Sequence, residues 1–105
     1  MSTYEEAART PHGQAMFRDL IAGLDALPRR VLITGTMENV DGDVCAMMAL
    51  HRFSDYQYDC ETIAEELLIR TRIIRVNDSD CSYLTPSERW AHVRAWAQSQ
   101  ITETP

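Results

Sequence analysis

The chain has 105 residues, a net charge of −6 and no lysine, so its 10 basic residues are all arginines. That length holds one domain with a real core, and an apolar content of 45% excludes a disordered acidic tail. The acidity disfavours binding of nucleic acid phosphates by the chain as a whole, and no apolar run approaches the roughly 20 residues that cross a bilayer.

Residues 1–9 lack a basic stretch followed by an apolar one, so no secretory signal is read there and cytoplasmic residence is expected. Thr3 and Glu6 have capping-box spacing, which predicts a short helix from Tyr4 to Arg9. Thr10-Pro11 opens a second helix. Its apolar face is Met16, Leu20, Ile21, Leu24 and Leu27, and Pro28 stops it. Arg30 to Thr36 reads RVLITGT and precedes the turn dipeptide Asp41-Gly42, so a short β-hairpin or irregular ribbon is expected near residues 30–44.

Val44 to Phe53 is apolar nearly all round, as a buried central helix is. Ser54 to Asp59 is a polar loop. After it Ile63, Ala64, Leu67 and Leu68 form the expected apolar stripe of a helix, and Ile73, Ile74 and Val76 follow. Thr85-Pro86-Ser87-Glu88 is a complete helix start, with cap, first-turn proline and reciprocal glutamate. Trp90, Val93, Ala97 and Ile101 mark one face of that last helix. The expected fold over residues 1–105 is a single domain, mostly α, of four or five helices with the short hairpin.

Carboxylates crowd the middle of the chain. Glu38, Asp41, Asp43, Asp55, Asp59, Glu61, Glu65 and Glu66 are accompanied by one full positive charge, Arg52. Like charges held together cost stability, so such a band points to a surface that meets something basic. The plainer reading is a solvated helix face, since most charge runs are that. In this reading Glu61, Glu65 and Glu66 turn to solvent, and Trp96, at the boundary of the last helix, is the better aromatic candidate for a contact.

Other chemistries find little purchase. The three cysteines are widely spaced, which argues against a disulfide framework. Cys45, His51, Cys60 and Cys81 have no paired ligand spacing for zinc, and Cys45 is expected to be a small, buried core residue. Asn39, Asp41 and Asp43 begin like a calcium loop, but Val44 stands where its glycine belongs and Leu50 where its glutamate belongs. No nucleophile motif or glycine-rich phosphate loop occurs, so no metal, cofactor or enzymatic role is expected.

Asp59 to Asn77 spaces Ile63, Ala64, Leu67, Ile69 and Ile74 as a helix-turn-helix spaces its packing residues. Arg70, Arg72 and Arg75 then fall where DNA contacts belong. Against DNA stand Leu68 at the usual glycine of the turn and the nearby Glu61, Glu65, Glu66, Asp78 and Asp80.

Three segments together resemble a group of small proteins encoded by bacteriophages and prophages. They are Gly42-Asp43-Val44-Cys45-Ala46, Ile63-Ala64 through Asn77-Asp78, and Thr85-Pro86-Ser87-Glu88-Arg89-Trp90 with Arg94 and Trp96. The likeness runs from Leu27 to Ile101 and departs at Met48 and Leu68, where the pattern has glycine. It implies a phage-borne accessory protein acting inside the host cell. Joined to the acidic band, it implies a non-enzymatic binder that inhibits or modulates a host nucleic-acid-binding protein, an anti-CRISPR being one instance. A small phage regulator that binds DNA through Arg70, Arg72 and Arg75 is the alternative.

Overall fold

Thr10 ends one helix and begins the next. In the computed structural model, which describes residues 3–53, 63–79 and 83–102, its N–H reaches Ala7 O at 3.2 Å and closes α1 (Tyr4–Arg9). Its Oγ1 accepts from the Gly13 N–H at 3.0 Å and caps α2 (Pro11–Asp25). Thr3 caps α1 as its spacing predicts. α3 (Ala46–Phe53) and α4 (Ile63–Asp78) follow, and α5 (Pro86–Gln100) starts with both arms of the Thr85–Glu88 capping box in place. The fold is mostly α, and among the described residues no helix is long and apolar enough to cross a membrane.

Helix α2 lies at the centre, packed against α3 and α5, while α1 rests on α4. Met16, Phe17, Leu20 and Leu24 of α2 meet Leu32, Val44 and Leu50 and the inner faces of α4 and α5 in one continuous core. Trp90, Val93 and Ala97 are buried as expected, and the Trp90 Nε1–H donates to Leu24 O at 3.0 Å. The backbones of α1 and α2 approach so closely that a Cβ on Gly13 would lie 2.1 Å from Ala7 O. At Asp25, the Arg94 guanidinium donates to both carboxylate oxygens, at 2.7 and 2.9 Å, and these bonds hold the carboxyl below its ordinary value.

Three buried polar side chains, none of them anticipated, stitch the elements together. The Gln14 amide donates to Ala8 O and Gln100 O and accepts from the Thr102 N–H. Asn77 accepts from the Ala46 N–H and donates to Ile33 O. The Arg89 guanidinium donates to the carbonyls of Asn77, Leu32 and Leu84. Buried polar groups are tolerated when each finds a partner, and these three do so on backbone atoms.

Two expectations need correction. There is no β-hairpin near residues 30–44. Among the described residues that stretch is an irregular ribbon with a single antiparallel bridge, Glu38 to Val44. Isolated cross-ribbon bonds form, among them Ile33 N–H to Val44 O, while the Leu32 N–H leaves the ribbon for Pro86 O. Residues 63–78 form one unbroken helix, with no turn at Leu68, so the helix-turn-helix geometry is absent.

Candidate binding surface

Among the described residues, the ribbon between Gly35 and Asp43 is the most exposed part of the acidic band, and its shape comes from Asn39. The Asn39 Oδ1 accepts from the N–H groups of Asp41 and Asp43, both at 3.0 Å. Its backbone N–H meets Asp43 O at 3.0 Å, and the Gly42 N–H meets Asn39 O at 3.1 Å. An Asx side chain that satisfies the turn it sits in is a common way to fix a tight loop. Gly35 and Gly42 supply the two left-handed backbone positions, with φ of 82° and 83°. The Cys45 N–H to Met37 O bond then ties the ribbon to the start of α3.

This frame holds apolar side chains in water. Val40 is fully exposed at 102% and Met37 is 50% exposed. Around them stand Glu38, paired with Arg52, and exposed Asp41. Asp43 is mostly covered and lies 3.4 Å from Arg29. A cavity of about 360 Å³ opens beside the ribbon, lined among others by Met37, Cys45, Met47, Ile74 and Asp78. Cys45 is therefore a half-buried free thiol on a cavity wall and not the buried core residue expected.

Among the described residues, the other carboxylates of the acidic band, Glu65 and Glu66, do not join this surface. Asp55, Asp59 and Glu61, with Cys60 and Cys81, lie outside the described residues. Glu65 is half-buried, and Glu66, expected in solvent, is completely buried. Its carboxylate lies 3.6 Å from His12 Nε2 and 3.9 Å from Arg70 Nη2, and Arg70 Nη1 is 2.9 Å from His51 Nε2. The cause is the rotation of α4. Its buried row is Glu66, Ile69, Ile73 and Val76, while Ala64 and Leu67 face outward. Gly13 explains the choice of row: the missing Cβ leaves room for Ile69, whose Cδ1 lies 3.0 Å from where that Cβ would be. The Glu66–Arg70 spacing of four residues was the one sequence signal of the pair.

The three candidate DNA-contacting arginines do not share a face. Arg70 turns inward to Glu66 and His51. Arg72 lies over the Tyr4 ring at 4.2 Å, and Arg75 is exposed. The Tyr4 hydroxyl donates to Gln100 Oε1 at 2.8 Å. Burial, opposed by Arg72, pushes its phenol up to about 12. Trp96 is half-buried with its ring set edge-on to Phe17 at 5.5 Å, so it packs on the core. Among the described residues, no three His, Cys, Asp or Glu side chains converge as metal ligands would.

No family model, curated protein or solved structure matches this chain. Several residues of the three segments singled out in the sequence have clear packing duties: Gly42 a left-handed turn, Val44 the core, Asn77 and Arg89 the stitching, Arg94 the Asp25 pair.

Proposed function

We propose that the protein is a non-catalytic, phage-borne accessory protein that acts in the host cell by docking its 35–43 ribbon on a basic, nucleic-acid-binding host protein and blocking it. An anti-CRISPR inhibitor would be one instance. The observation that carries the reading is Val40. A side chain wholly in solvent gains nothing for the isolated fold, yet four hydrogen bonds around Asn39 and Gly42 hold its turn in place. Exposed apolar residues ringed by charge are the usual anatomy of a docking patch, with the centre giving affinity and the rim giving orientation and steering. Here Val40 and Met37 are the centre, and Glu38, Asp41 and Asp78 the rim. Among the described carboxylates of the band, the burial of Glu66 and the half-burial of Glu65 leave this ribbon as the acidic surface.

The test is affinity capture from the bacterial host with the wild-type protein and a Val40→Asp/Asp41→Lys variant, both confirmed folded by circular dichroism. The expected result is a basic nucleic-acid-binding protein captured by the wild type alone, whose nucleic acid binding the wild type suppresses. Capture that survives the double substitution would remove the ribbon from the account. Retardation of duplex DNA by the free protein at low salt would favour the regulator reading instead.

A further inference from the structure

Helix α4 is apolar on two opposite sides. Ile69, Ile73 and Val76 fill the core, yet Leu67 and Ile74 on the outer side are 52% and 48% exposed, with Ala64 and Thr71 between and beside them. A helix that is apolar all round is ordinarily covered all round. Here the outer side is open, and it is shaped. Ala64, Leu67, Leu68 and Thr71 floor a groove of about 520 Å³, Tyr4 of α1 forms a wall, and Arg72 and Arg75 stand at the far end.

The charges there are unusual for this chain. Neither Arg72 nor Arg75 is paired with a carboxylate among the described residues; Arg72 only stacks on Tyr4, and Arg75 points into solvent. Positions 64, 67, 68, 71 and 75, which line the groove, include no acid, although the protein carries a net −6 and Asp78 stands one turn beyond. A second copy laid face to face would offer these arginines, among the described acids of α4, only half-buried Glu65 at one end and Asp78 at the other. A nucleic acid would find two cations but no use for Leu67 and Leu68. A small amphiphile would leave most of so open a floor uncovered.

What fits is another helix. Positions 64, 67, 68, 71 and 75 follow the i, i+3, i+4, i+7, i+11 spacing with which one helix faces a second. They span about three turns, or about 16 Å at 1.5 Å per residue. The geometry points to a docking site on α4 for an amphipathic α-helix of a partner protein, its apolar face on Leu67 and Leu68 and its carboxylates on Arg72 and Arg75. This face has the opposite charge to the ribbon and does not depend on what the ribbon binds.

The experiment uses three fluorescein-labelled synthetic peptides of one helical design: an acidic amphipathic helix, its lysine counterpart and a scrambled acidic sequence. Fluorescence anisotropy should show saturable binding of the acidic helix that weakens with salt. Leu67→Asp should abolish it. Arg75→Glu, a surface change that spares the Tyr4 stack, should weaken it about fivefold or more and improve binding of the lysine peptide. The Val40→Asp/Asp41→Lys ribbon variant should bind the acidic helix as the wild type does, which keeps this site separate from the proposed function. Equal binding of the scrambled peptide, or absence of binding by the acidic helix, would overturn the inference. So would dodecanoate displacing the peptide at submicellar concentration while binding the Arg75→Glu variant more weakly, since the site would then be one for small anionic amphiphiles. Self-association of the wild type that Leu67→Asp abolishes would assign the face to a second copy and overturn it equally.

Discussion

The carbonyl of Asn77, the penultimate residue of α4, accepts a hydrogen bond from Arg89 Nε at 3.1 Å, early in α5. The same guanidinium reaches Leu32 O at 3.0 Å and Leu84 O at 3.2 Å, so one side chain fixes the start of the 32–45 segment against two helices. The candidate ribbon is thus positioned from behind by an arginine that never reaches the surface.

Arg89→Ala should leave three carbonyls without their donor and lower stability by about 3 kcal/mol, read from urea denaturation. Arg89→Lys should recover less than half of the loss. An ammonium is a point donor and cannot satisfy three acceptors set out for a planar fork.

Charge reversal should separate the buried and exposed members of the acidic band. Glu66→Lys would bury a positive group beside Arg70 in place of its carboxylate partner, and should cost about 4 kcal/mol. Asp41→Lys, in solvent, should change stability by no more than about 0.5 kcal/mol. Thermal melts of the two variants check this directly. Equal melting temperatures would mean that Glu66 is solvated after all.

Gly13→Ala should destabilise the fold by about 2–3 kcal/mol, since the new methyl meets the Ala7 backbone and not a side chain that can swing away. The loss should appear as faster amide exchange in α1, the element pushed off. An alanine at Gly42 tests a different cost, that of a left-handed backbone, and should leave α1 exchange untouched.

Tyr4 should titrate late, near 12, in an ultraviolet absorbance titration. Because its folded value is raised above the ordinary 10.0, the folded state holds the proton more tightly. That contribution to stability is complete below pH 10.0 and is lost as the pH rises towards 12. Arg72→Gln removes the one opposing positive charge and should move the Tyr4 titration higher still.

Features written in adjacent residues were legible in the sequence. The Thr3, Thr10 and Thr85 caps depend on three or four neighbours, and each helix starts where its cap says. On α5 the expected row of Trp90, Val93 and Ala97 is the buried row. On α4, periodicity could not choose between two apolar rows, and the choice fell to a contact with Gly13 that is distant in sequence. The burial of Glu66 follows from that rotation, and so does the exposure of Leu67. Residues 30–36 have strand-like composition, and Ile33 does meet Val44 across the ribbon, but the Leu32 N–H goes to Pro86 O, a partner that local pattern cannot name. Of the candidate site, the acidic ribbon was visible as charge, whereas its apolar tip and the α4 groove emerged only from the packing.

Tyr4 and Gln100 are bonded at 2.8 Å although 96 positions separate them, and Gln14 carries a second join to Thr102 at 2.8 Å. A pull applied between the first and last helices therefore loads these few polar contacts before it reaches the core. They act as a latch across the two ends of the folded chain. While it holds, tension between α1 and α5 bypasses α3 and the ribbon.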